Sequence, residues 1–374
     1  KLGVLTNVVG NMPLEDALKY FKSMGIQMVE IGCGGYPGKD HCDPEVLPDE
    51  AKYQEFCDTI KKYDMEVSAF SCHGNPIHPN KELAAAYDKD MRNAVLMAEK
   101  YGLHQINCFS GCPGDCETSQ YPNWVVCAWP DDFGKILEYQ WKILVDYWKD
   151  FVAFAREHGV NKIALEMHQG FCVYNTETLL KLREAVGPEI GANFDPSHLI
   201  WQGMDPVAVI RELGGDAIFH VHAKDTRLDK YNMAKNGALD TKSYADEAHR
   251  SWIFRSVGYG NDLLYWKDII SALRLVGYDY AISIEHEDSL MSQNEGLMKA
   301  VETLKSAINH FENGAGVVRI ADGFVSPLLI LCFGPHLIGE LVAQCGDIDA
   351  LVIRKGFFRF RARLVGLGVI DGKL

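Results

Sequence analysis

The chain has 374 residues, of which 47% are hydrophobic, and a formal net charge of −14 at pH 7. This length and apolar content suffice for one large barrel or for two ordinary domains. The acidic balance argues against a surface that binds duplex DNA or anionic membranes, because such surfaces draw most of their affinity from Lys and Arg. It does not argue against binding a cation.

The cysteines and the start of the chain indicate a compartment. Eleven cysteines, an odd number, are scattered through predicted strands and helices, which is typical of a reducing environment rather than of a disulfide scaffold. The first residues, Lys-Leu-Gly-Val-Leu-Thr, lack the basic-then-apolar pattern of a signal peptide and lead directly into strand-like sequence. We therefore expect a cytoplasmic protein.

Short apolar segments alternate with amphipathic segments eight times in residues 1–313. The amphipathic segments have apolar residues at helical spacing, and most of them end at a glycine. The predicted strands are 2–7, 28–34, 66–74, 104–111, 162–168, 190–198, 218–225 and 280–288. The predicted helices are 14–25, 49–64, 84–102, 139–159, 176–187, 206–214, 264–277 and 296–313.

Eight strand–helix units predict an α/β fold in which a parallel sheet closes into a (β/α)8 barrel. An open, doubly wound sheet is the alternative architecture. In a barrel, the loops that follow the strands lie on the face that carries the active site. Three of these loops are predicted to be long, residues 34–48, 112–138 and 226–263, and such loops are usually lids or substrate walls.

The fifth to eighth predicted strands end in ionisable residues, one ligand candidate from each. These are Glu166, Asp195, His222 and Glu285. Three carboxylates and one imidazole suit a divalent ion, Mn²⁺ or Mg²⁺ before Zn²⁺. The alternative is electrostatic pairing at the edge of the core, although the chain is short of basic residues. Without a cation the three carboxylates would repel one another, and at least one would have to be protonated.

These strand ends resemble those of the xylose isomerase-like barrels, the sugar isomerase and epimerase group, over about residues 1–310. The motifs are Glu166, Asp195-x-x-His198, His220-x-His222 and Glu285. The resemblance implies that the four candidates bind one divalent ion, usually Mn²⁺, with Mg²⁺, Co²⁺ and Zn²⁺ as alternatives. The zinc endonuclease branch of the superfamily is disfavoured, because this acidic chain offers one plausible cation site and no basic groove.

The same resemblance implies roles in catalysis. Glu166 and Glu285 would be the acid and base pair, and His198 and Arg227 would hold substrate oxygens. A metal that chelates a ketose carbonyl and the adjacent hydroxyl stabilises an enediolate. Two carboxylates on opposite faces would invert a carbon, whereas a single group that moves the proton would give a 1,2-isomerisation. The sequence does not choose between these outcomes.

A closer resemblance leaves a lyase open. The strings CHGNP, GCPGD, YPNW, WPDDF, ANFDPSHL, HVHAKDTR and SIEHEDS look like a bacterial subgroup of sugar phosphate isomerases and epimerases, to which the catalytic subunits of C-glycoside deglycosidases are similar. This likeness implies, as the alternative, cleavage of a 3-keto-glycoside with a small partner subunit. No phosphate-binding glycine fingerprint supports a phosphorylated substrate. A non-catalytic sugar-binding subunit is disfavoured by the intact acidic set.

Three further residues are predicted to contact substrate. His73 ends the third strand, although a simple turn explains its neighbours equally well. His168 lies two residues from Glu166, and Lys224 is also a candidate ion-pair partner of Asp225 at the site mouth. The expected ligand is a small sugar or glycoside. We expect a homo-oligomer and neither a nucleic-acid nor a membrane partner.

Residues 314–374 do not continue the strand–helix pattern. This segment is net basic, and its apolar run at 327–342 is too short and too interrupted for a transmembrane helix. We predict a C-terminal extension of low order and unknown role.

Overall fold

The computed structural model describes residues 1–46 and 48–308, and beyond them the backbone pairing of four short strands. It divides into two units, Lys1–Ile308 and Asn309–Leu374. The predicted boundary at residue 313 and the low order predicted for 314–374 lie outside the described residues. Within those residues, no helix has the length and apolar character needed to cross a membrane.

The first unit is a closed barrel of eight parallel strands, which confirms the predicted (β/α)8 fold and excludes the open sheet. The barrel closes where the last of these strands pairs with the first, with Ile282 opposite Leu2. Seven of the barrel strands precede a long insertion, which is the segment of chain between the seventh and the eighth barrel strand. They are β1 (Leu2–Leu5), β2 (Met28–Gly35), β3 (Glu66–His73), β4 (Gln105–Cys108), β5 (Lys162–Glu166), β6 (Ile190–Phe194) and β7 (Ile218–Ala223). A hairpin of β8 (Asp225–Leu228) and β9 (Trp252–Arg255) follows, and β10 (Ile282–Ile284) completes the barrel.

The longer helices surround the barrel and bury one apolar face each; in the first helix this face is formed by Ala17, Leu18 and Phe21. The helices are α1 (Leu14–Ser23), α2 (Glu50–Lys62), α3 (Lys81–Tyr101), α4 (Asp131–Glu157), α5 (Thr176–Val186), α6 (Pro196–Ile200), α7 (Pro206–Ala217), α8 (Lys230–Asn236), α9 (Leu263–Leu275) and α10 (Gln293–Ala307). Several begin at a capping side chain, such as Asn80, whose oxygen accepts from the backbone N–H groups of Glu82 and Leu83.

In the second unit, the residues that the structure describes form four two-residue strands. They are β11 (Arg319–Ile320), β12 (Gly323–Phe324), β13 (Leu351–Val352) and β14 (Arg359–Phe360). They pair antiparallel in the order β12, β11, β13, β14.

Two of the predicted long loops are more ordered than the sequence suggested. Helix α4 begins at Asp131 rather than at residue 139, so the preceding loop is shorter than the predicted 112–138. Asp131 and Asp132 lie in its first turn, where carboxylates are favoured by the helix dipole, and Pro130 precedes them. The predicted loop 226–263 contains α8 and most of the β8–β9 hairpin, in which Leu228 pairs with Trp252.

Asp225 attaches the returning end of this insertion to the barrel. Its buried carboxylate accepts hydrogen bonds from the backbone N–H groups of Gly258, Gly260 and Asn261 and from Nε1 of Trp266. These donors lie more than thirty residues along the chain. One side chain at the start of β8 therefore ties the returning segment, residues 258–266, to the barrel.

We predict that Gly35→Ala destabilises the protein by about 3 kcal/mol or more, because strain and overpacking act together. Gly35 has φ +61°, and an added Cβ would lie 1.9 Å from the carbonyl oxygen of His73. The matched control is Gly102→Ala, where φ is +81° and nothing lies within 4 Å of the added atom. This variant should lose only about 1 to 2 kcal/mol. Urea unfolding measures both, and equal losses would contradict the packing argument.

Candidate metal centre

The four predicted ligand candidates meet at the carboxyl ends of neighbouring barrel strands. Glu166 ends β5, Asp195 follows β6, His222 lies in β7 and Glu285 follows β10. One ligand atom from each of them lies within 4.8 Å of those from the others. Glu166, Asp195 and His222 are buried, and the side chain of Glu285 is 15% exposed. We call these four residues the acidic cluster.

Asp195 uses its two carboxylate oxygens for different purposes. Oδ1 accepts from the backbone N–H of Ser197 at 2.8 Å and so caps α6, which begins with Pro196. Oδ2 faces the cluster, where Nζ of Lys224 lies 3.1 Å away without hydrogen-bond geometry. The local sequence Asp-Pro-Ser thus fixes the carboxylate and leaves one buried oxygen available to a ligand.

His222 connects the cluster to the interior of the barrel. Its Nδ1 lies 3.3 Å from Oε2 of Glu166 and 3.0 Å from Oε2 of Glu285. Its Nε2 lies 3.0 and 2.9 Å from the two carboxylate oxygens of Glu30. Burial alone would lower the pKa of His222, but Glu30 and Glu285 raise it well above its usual value.

Lys224 is buried within this group of acids. Its Nζ lies 3.1 Å from Asp195, 2.9 Å from Glu285 and 2.8 Å from Glu287. Burial opposes the ammonium form, yet the carboxylates raise the pKa of Lys224 well above its usual value. The predicted ion pair with Asp225 is therefore wrong. Lys224 faces the cluster, whereas Asp225 binds the backbone N–H groups of the insertion.

Two predicted substrate contacts, His198 and His73, lie against Glu166. Nε2 of His198 is 2.9 Å from Oε1 of Glu166 and 3.2 Å from Oδ2 of Asp195. Nε2 of His73 is 3.1 Å from Oε2 of Glu166. Burial lowers the pKa of His198, but the two carboxylates outweigh it and bring that pKa to about 9. None of these imidazole nitrogens makes a hydrogen bond of acceptable geometry.

The other two predicted substrate contacts differ from each other in position. The His168 ring lies beside that of His198, with centroids 4.1 Å apart, and burial together with His198 lowers the pKa of His168 to about 3. Arg227 is exposed on β8, where its guanidinium donates to the carbonyl oxygen of Gly260 at 3.0 Å. The structure thus brings His168 to the site and leaves Arg227 on the hairpin.

Glu30 was missed by sequence reasoning. It lies in β2, is fully buried, and accepts hydrogen bonds from Ser71, Asn107 and Ser283 in addition to His222. Burial would raise the pKa of Glu30, but His222, His220 and these donors hold it well below its usual value. The signal was available: a lone acid in the apolar strand Met-Val-Glu-Ile-Gly is costly unless it has partners.

Aromatic side chains flank the acidic cluster on two sides. Phe109 packs against His73 and Phe171, with ring centroids 4.6 and 4.4 Å away. On the other side, the ring of Phe254 lies 5.3 Å from that of His198 and 4.7 Å from Nζ of Lys224. Phe254 also belongs to a small separate apolar cluster with Trp201 and Trp252, and Trp124 packs against this cluster. The rings of Phe109 and Phe254 pack against the side chains of His73, His198 and Lys224, which border the acidic cluster.

The donor set fits a divalent cation. Donors bonded to one ion at about 2.1 to 2.4 Å lie up to roughly 4.8 Å apart, which matches the acidic cluster. Asp195 Oδ2 makes no hydrogen bond, and Nδ1 of His222 faces two carboxylate oxygens. Among the residues that the structure describes, two other groups have metal-like spacing, Glu30 with His220 and His222, and Glu166 with His168 and His198. Neither brings more than one carboxylate.

Sequence comparison identifies relatives along nearly all of the barrel. The family model described as the xylose isomerase-like TIM barrel matches residues 18–307. The uncharacterised protein YfiH of Bacillus subtilis (strain 168) is 40% identical over 313 residues, which is 83% of this chain and 99% of YfiH. Inosose dehydratase of Clostridium tetani is 33% identical over 178 residues, 47% of this chain and 50% of that enzyme.

Solved structures share the fold at low identity. The IolI protein with a bound zinc atom superposes with a TM-score of 0.59 at 18% identity, covering 84% of this chain and 99% of that one. L-Ribulose 3-epimerase gives a TM-score of 0.52 at 16% identity, covering 92% and 94%. These likenesses agree with the barrel architecture described above.

We predict that Lys224→Met lowers the melting temperature of the metal-free protein and enlarges the rise that Mn²⁺ produces. Removing the ammonium leaves three carboxylates without their partner, which costs on the order of 3 kcal/mol or more. A bound cation would then supply the missing charge without competing with Lys224. Calorimetry with and without Mn²⁺ measures both effects.

The matched control is Lys235→Met, at an exposed position in α8. It should leave both melting temperatures close to those of the native chain. An Mn²⁺-dependent rise that is equal in Lys224→Met and in the native chain would show that Lys224 and the cation do not share the same carboxylates.

Proposed function

The chain belongs to the xylose isomerase-like TIM barrel family, and from this premise we propose that it is a divalent-metal-dependent sugar isomerase or epimerase. Its substrate would be a ketose or keto-sugar, from which a proton next to the carbonyl is removed. The observation that carries the proposal is the pair Glu166 and Glu285, whose Oε2 atoms lie 3.3 and 3.0 Å from Nδ1 of His222. Relatives named inosose dehydratase and L-ribulose 3-epimerase support sugar chemistry of this kind.

A cation at this site would be held by the acidic cluster, with Mn²⁺ as the first choice and Mg²⁺, Co²⁺ or Zn²⁺ as alternatives. When bound, it would polarise the substrate carbonyl and stabilise negative charge on the neighbouring oxygens. The choice of Mn²⁺ rests on the preference of carboxylate-rich sites for hard ions. The bound zinc of IolI supports a divalent ion without favouring Mn²⁺.

In this proposal Glu166 and Glu285 would move protons on two sides of a substrate. They lie at the ends of β5 and β10, between which β6 and β7 lie in the barrel wall. One carboxylate would remove a proton from carbon, and the other would deliver one to the opposite face, which inverts that carbon. If one carboxylate made both transfers, it would deliver the proton to the neighbouring carbon on the same face, a second proton would pass between the two oxygens, and a 1,2-isomerisation would result.

The surrounding histidines and Lys224 would orient the substrate. His73 and His198 present ring nitrogens to Glu166, and the ring of His168 lies beside that of His198. Lys224 adds a buried positive charge beside Asp195 and Glu285. In this proposal Arg227 reaches substrate oxygens from the hairpin, which requires its guanidinium to leave the Gly260 carbonyl.

We predict that Glu285→Gln reduces the exchange of solvent deuterium into a ketose by about 10²- to 10⁴-fold, the usual contribution of a positioned proton-transfer group. Exchange is followed by NMR of a panel of ketoses in D₂O with Mn²⁺ present. The control is Glu302→Gln, at an exposed position of α10, which should exchange at the native rate. Exchange that persists in Glu285→Gln would remove the acid and base role of Glu285.

A lyase acting on 3-keto-glycosides is the second candidate, as in C-glycoside deglycosidases. The observation that favours it is the aromatic wall at the hairpin, where Tyr244 stacks on Phe254 and remains 53% exposed. Such a surface suits the aglycone of a glycoside. Proton removal next to a carbonyl would then end in loss of the leaving group rather than in reprotonation.

The two candidates are separated by their products. An isomerase or epimerase should incorporate deuterium into a free ketose and give a sugar of the same mass apart from the label. A lyase should release the aglycone of a 3-keto-glycoside and show little exchange into free ketoses. Chromatography with mass detection on both substrate panels measures this. We further propose a homo-oligomer, and a small partner subunit only for the lyase.

A further inference from the structure

We propose that Glu30 is a positioning residue that holds His222 with its proton on Nε2, so that Nδ1 is the atom that binds the cation. The inference deepens the proposed function, because it rests on the cation site of the acidic cluster. It does not depend on which sugar is converted or on whether the reaction ends as an isomerisation or a lyase reaction. It concerns the tautomer of His222 and the buried Glu30 side chain that selects this tautomer.

Glu30 acts only as a hydrogen-bond acceptor in this structure. Ser71 and Ser283 donate their hydroxyl protons to it, and Nδ2 of Asn107 donates at 2.9 Å. These donors come from β3, β10 and β4, so Glu30 is held from three other strands of the barrel. An ionised carboxylate offers only acceptors. The fourth neighbour, His222, must therefore present an N–H to it.

The distances identify that N–H as the one on Nε2. Nε2 of His222 lies 3.0 and 2.9 Å from the two oxygens of Glu30 and so bridges the carboxylate. A lone pair on Nε2 would face both oxygens at this separation and would be repelled. The proton on Nε2 is thus required by a partner that cannot itself donate.

In a competing arrangement, Nε2 of His222 would carry no proton and would accept a hydrogen bond from Nδ2 of Asn193, which lies 3.2 Å away. Oδ1 of Asn193, however, lies 3.0 Å from Nδ1 of His220, whose Nε2 lies 3.1 Å from the Ser68 hydroxyl oxygen. With this orientation, Nδ2 of Asn193 can donate to Oε2 of Glu166 at 3.3 Å instead. Asn193 therefore has an acceptor in Glu166, and Nε2 of His222 can keep its proton for Glu30.

The consequence lies at the other ring nitrogen. Both ring nitrogens of His222 face carboxylate oxygens, Nε2 those of Glu30 and Nδ1 those of Glu166 and Glu285. A cation that binds one nitrogen must replace the proton there, and the proton on Nε2 is held by Glu30, which lies outside the acidic cluster. Nδ1 is therefore the nitrogen that gives up its proton and joins Glu166 and Glu285 as a ligand. Glu30 therefore prepares His222 to bind a cation, as carboxylates behind metal-binding histidines commonly do.

The supporting role of Glu30 also explains why Glu30, His220 and His222 have metal-like spacing. Both nitrogens of His220 are already hydrogen-bonded, to Asn193 and to Ser68. The oxygens of Glu30 are occupied by the donors described above. Glu30, His220 and His222 therefore support the cation site of the acidic cluster and do not form a second cation site.

The first experiment determines the coordinating atom directly. Native protein with ¹⁵N-labelled histidine is loaded with ¹¹³Cd²⁺, and histidine nitrogens are assigned by comparison with His222→Gln. We expect a one-bond cadmium coupling at Nδ1 of His222 and a proton on its Nε2. Coupling at Nε2, or the absence of any coupling at His222, would overturn the inference.

The second experiment tests the part played by Glu30. In Glu30→Gln, the affinity for Mn²⁺ in a chelator competition should fall about 10- to 100-fold, as is usual for such supporting residues. The matched control is Asp225→Asn, which changes another buried, hydrogen-bonded carboxylate that contacts none of the acidic cluster. It should lower the melting temperature while the Mn²⁺ affinity stays within about twofold of native. An unchanged affinity in Glu30→Gln would overturn the inference.

If Glu30→Gln does not fold, Ser283→Ala serves in its place, because it removes one donor to Glu30 and leaves His222 untouched. It should weaken Mn²⁺ binding by a few-fold, and native affinity would count against the inference. Neither readout requires turnover. Failure to exchange deuterium with intact coupling at Nδ1 would refute the proposed function alone, whereas coupling at Nε2 with normal exchange would refute only the role of Glu30.

Discussion

The accumulation of negative charge in a dry environment is the constraint on which the structure depends. Glu30, Glu166 and Asp195 are buried, and Glu285 is nearly so. Buried carboxylates are tolerated only when they are paired or hydrogen-bonded. The barrel meets this requirement with imidazoles, with the ammonium group of Lys224 and with hydroxyl donors from neighbouring strands. The remaining architecture brings these groups to one place and keeps them fixed.

The barrel and the meeting of four strand ends followed from local sequence. Apolar segments of strand length, separated by helical segments that stop at glycine, are readable without knowledge of contacts. Glu166, Asp195, His222 and Glu285 could be expected to converge because parallel strands in a barrel end on one face. The roles assigned to them, and to His73, His168, His198 and Arg227, remain predictions.

What the sequence concealed depends on contacts between distant segments. Glu30 has partners on β3, β4, β7 and β10, and no pattern within β2 indicates which strands supply them. Lys224 and Asp225 are adjacent, which suggested a pair, yet consecutive side chains of extended backbone point in opposite directions. The early start of α4 was indicated by Pro130 followed by two aspartates, a signal that apolar periodicity alone does not weigh.

The attachment of the insertion through Asp225 has a consequence for how such a barrel can diversify. Most of the groups that Asp225 binds belong to the main chain, at Gly258, Gly260 and Asn261. Main-chain N–H groups are the same whatever the side chains nearby. Residues of the hairpin that do not face Asp225 can thus be exchanged during evolution without loosening its anchor or disturbing the acidic cluster. The exposed surface of the insertion can diversify while the buried carboxylates of the barrel keep their contacts.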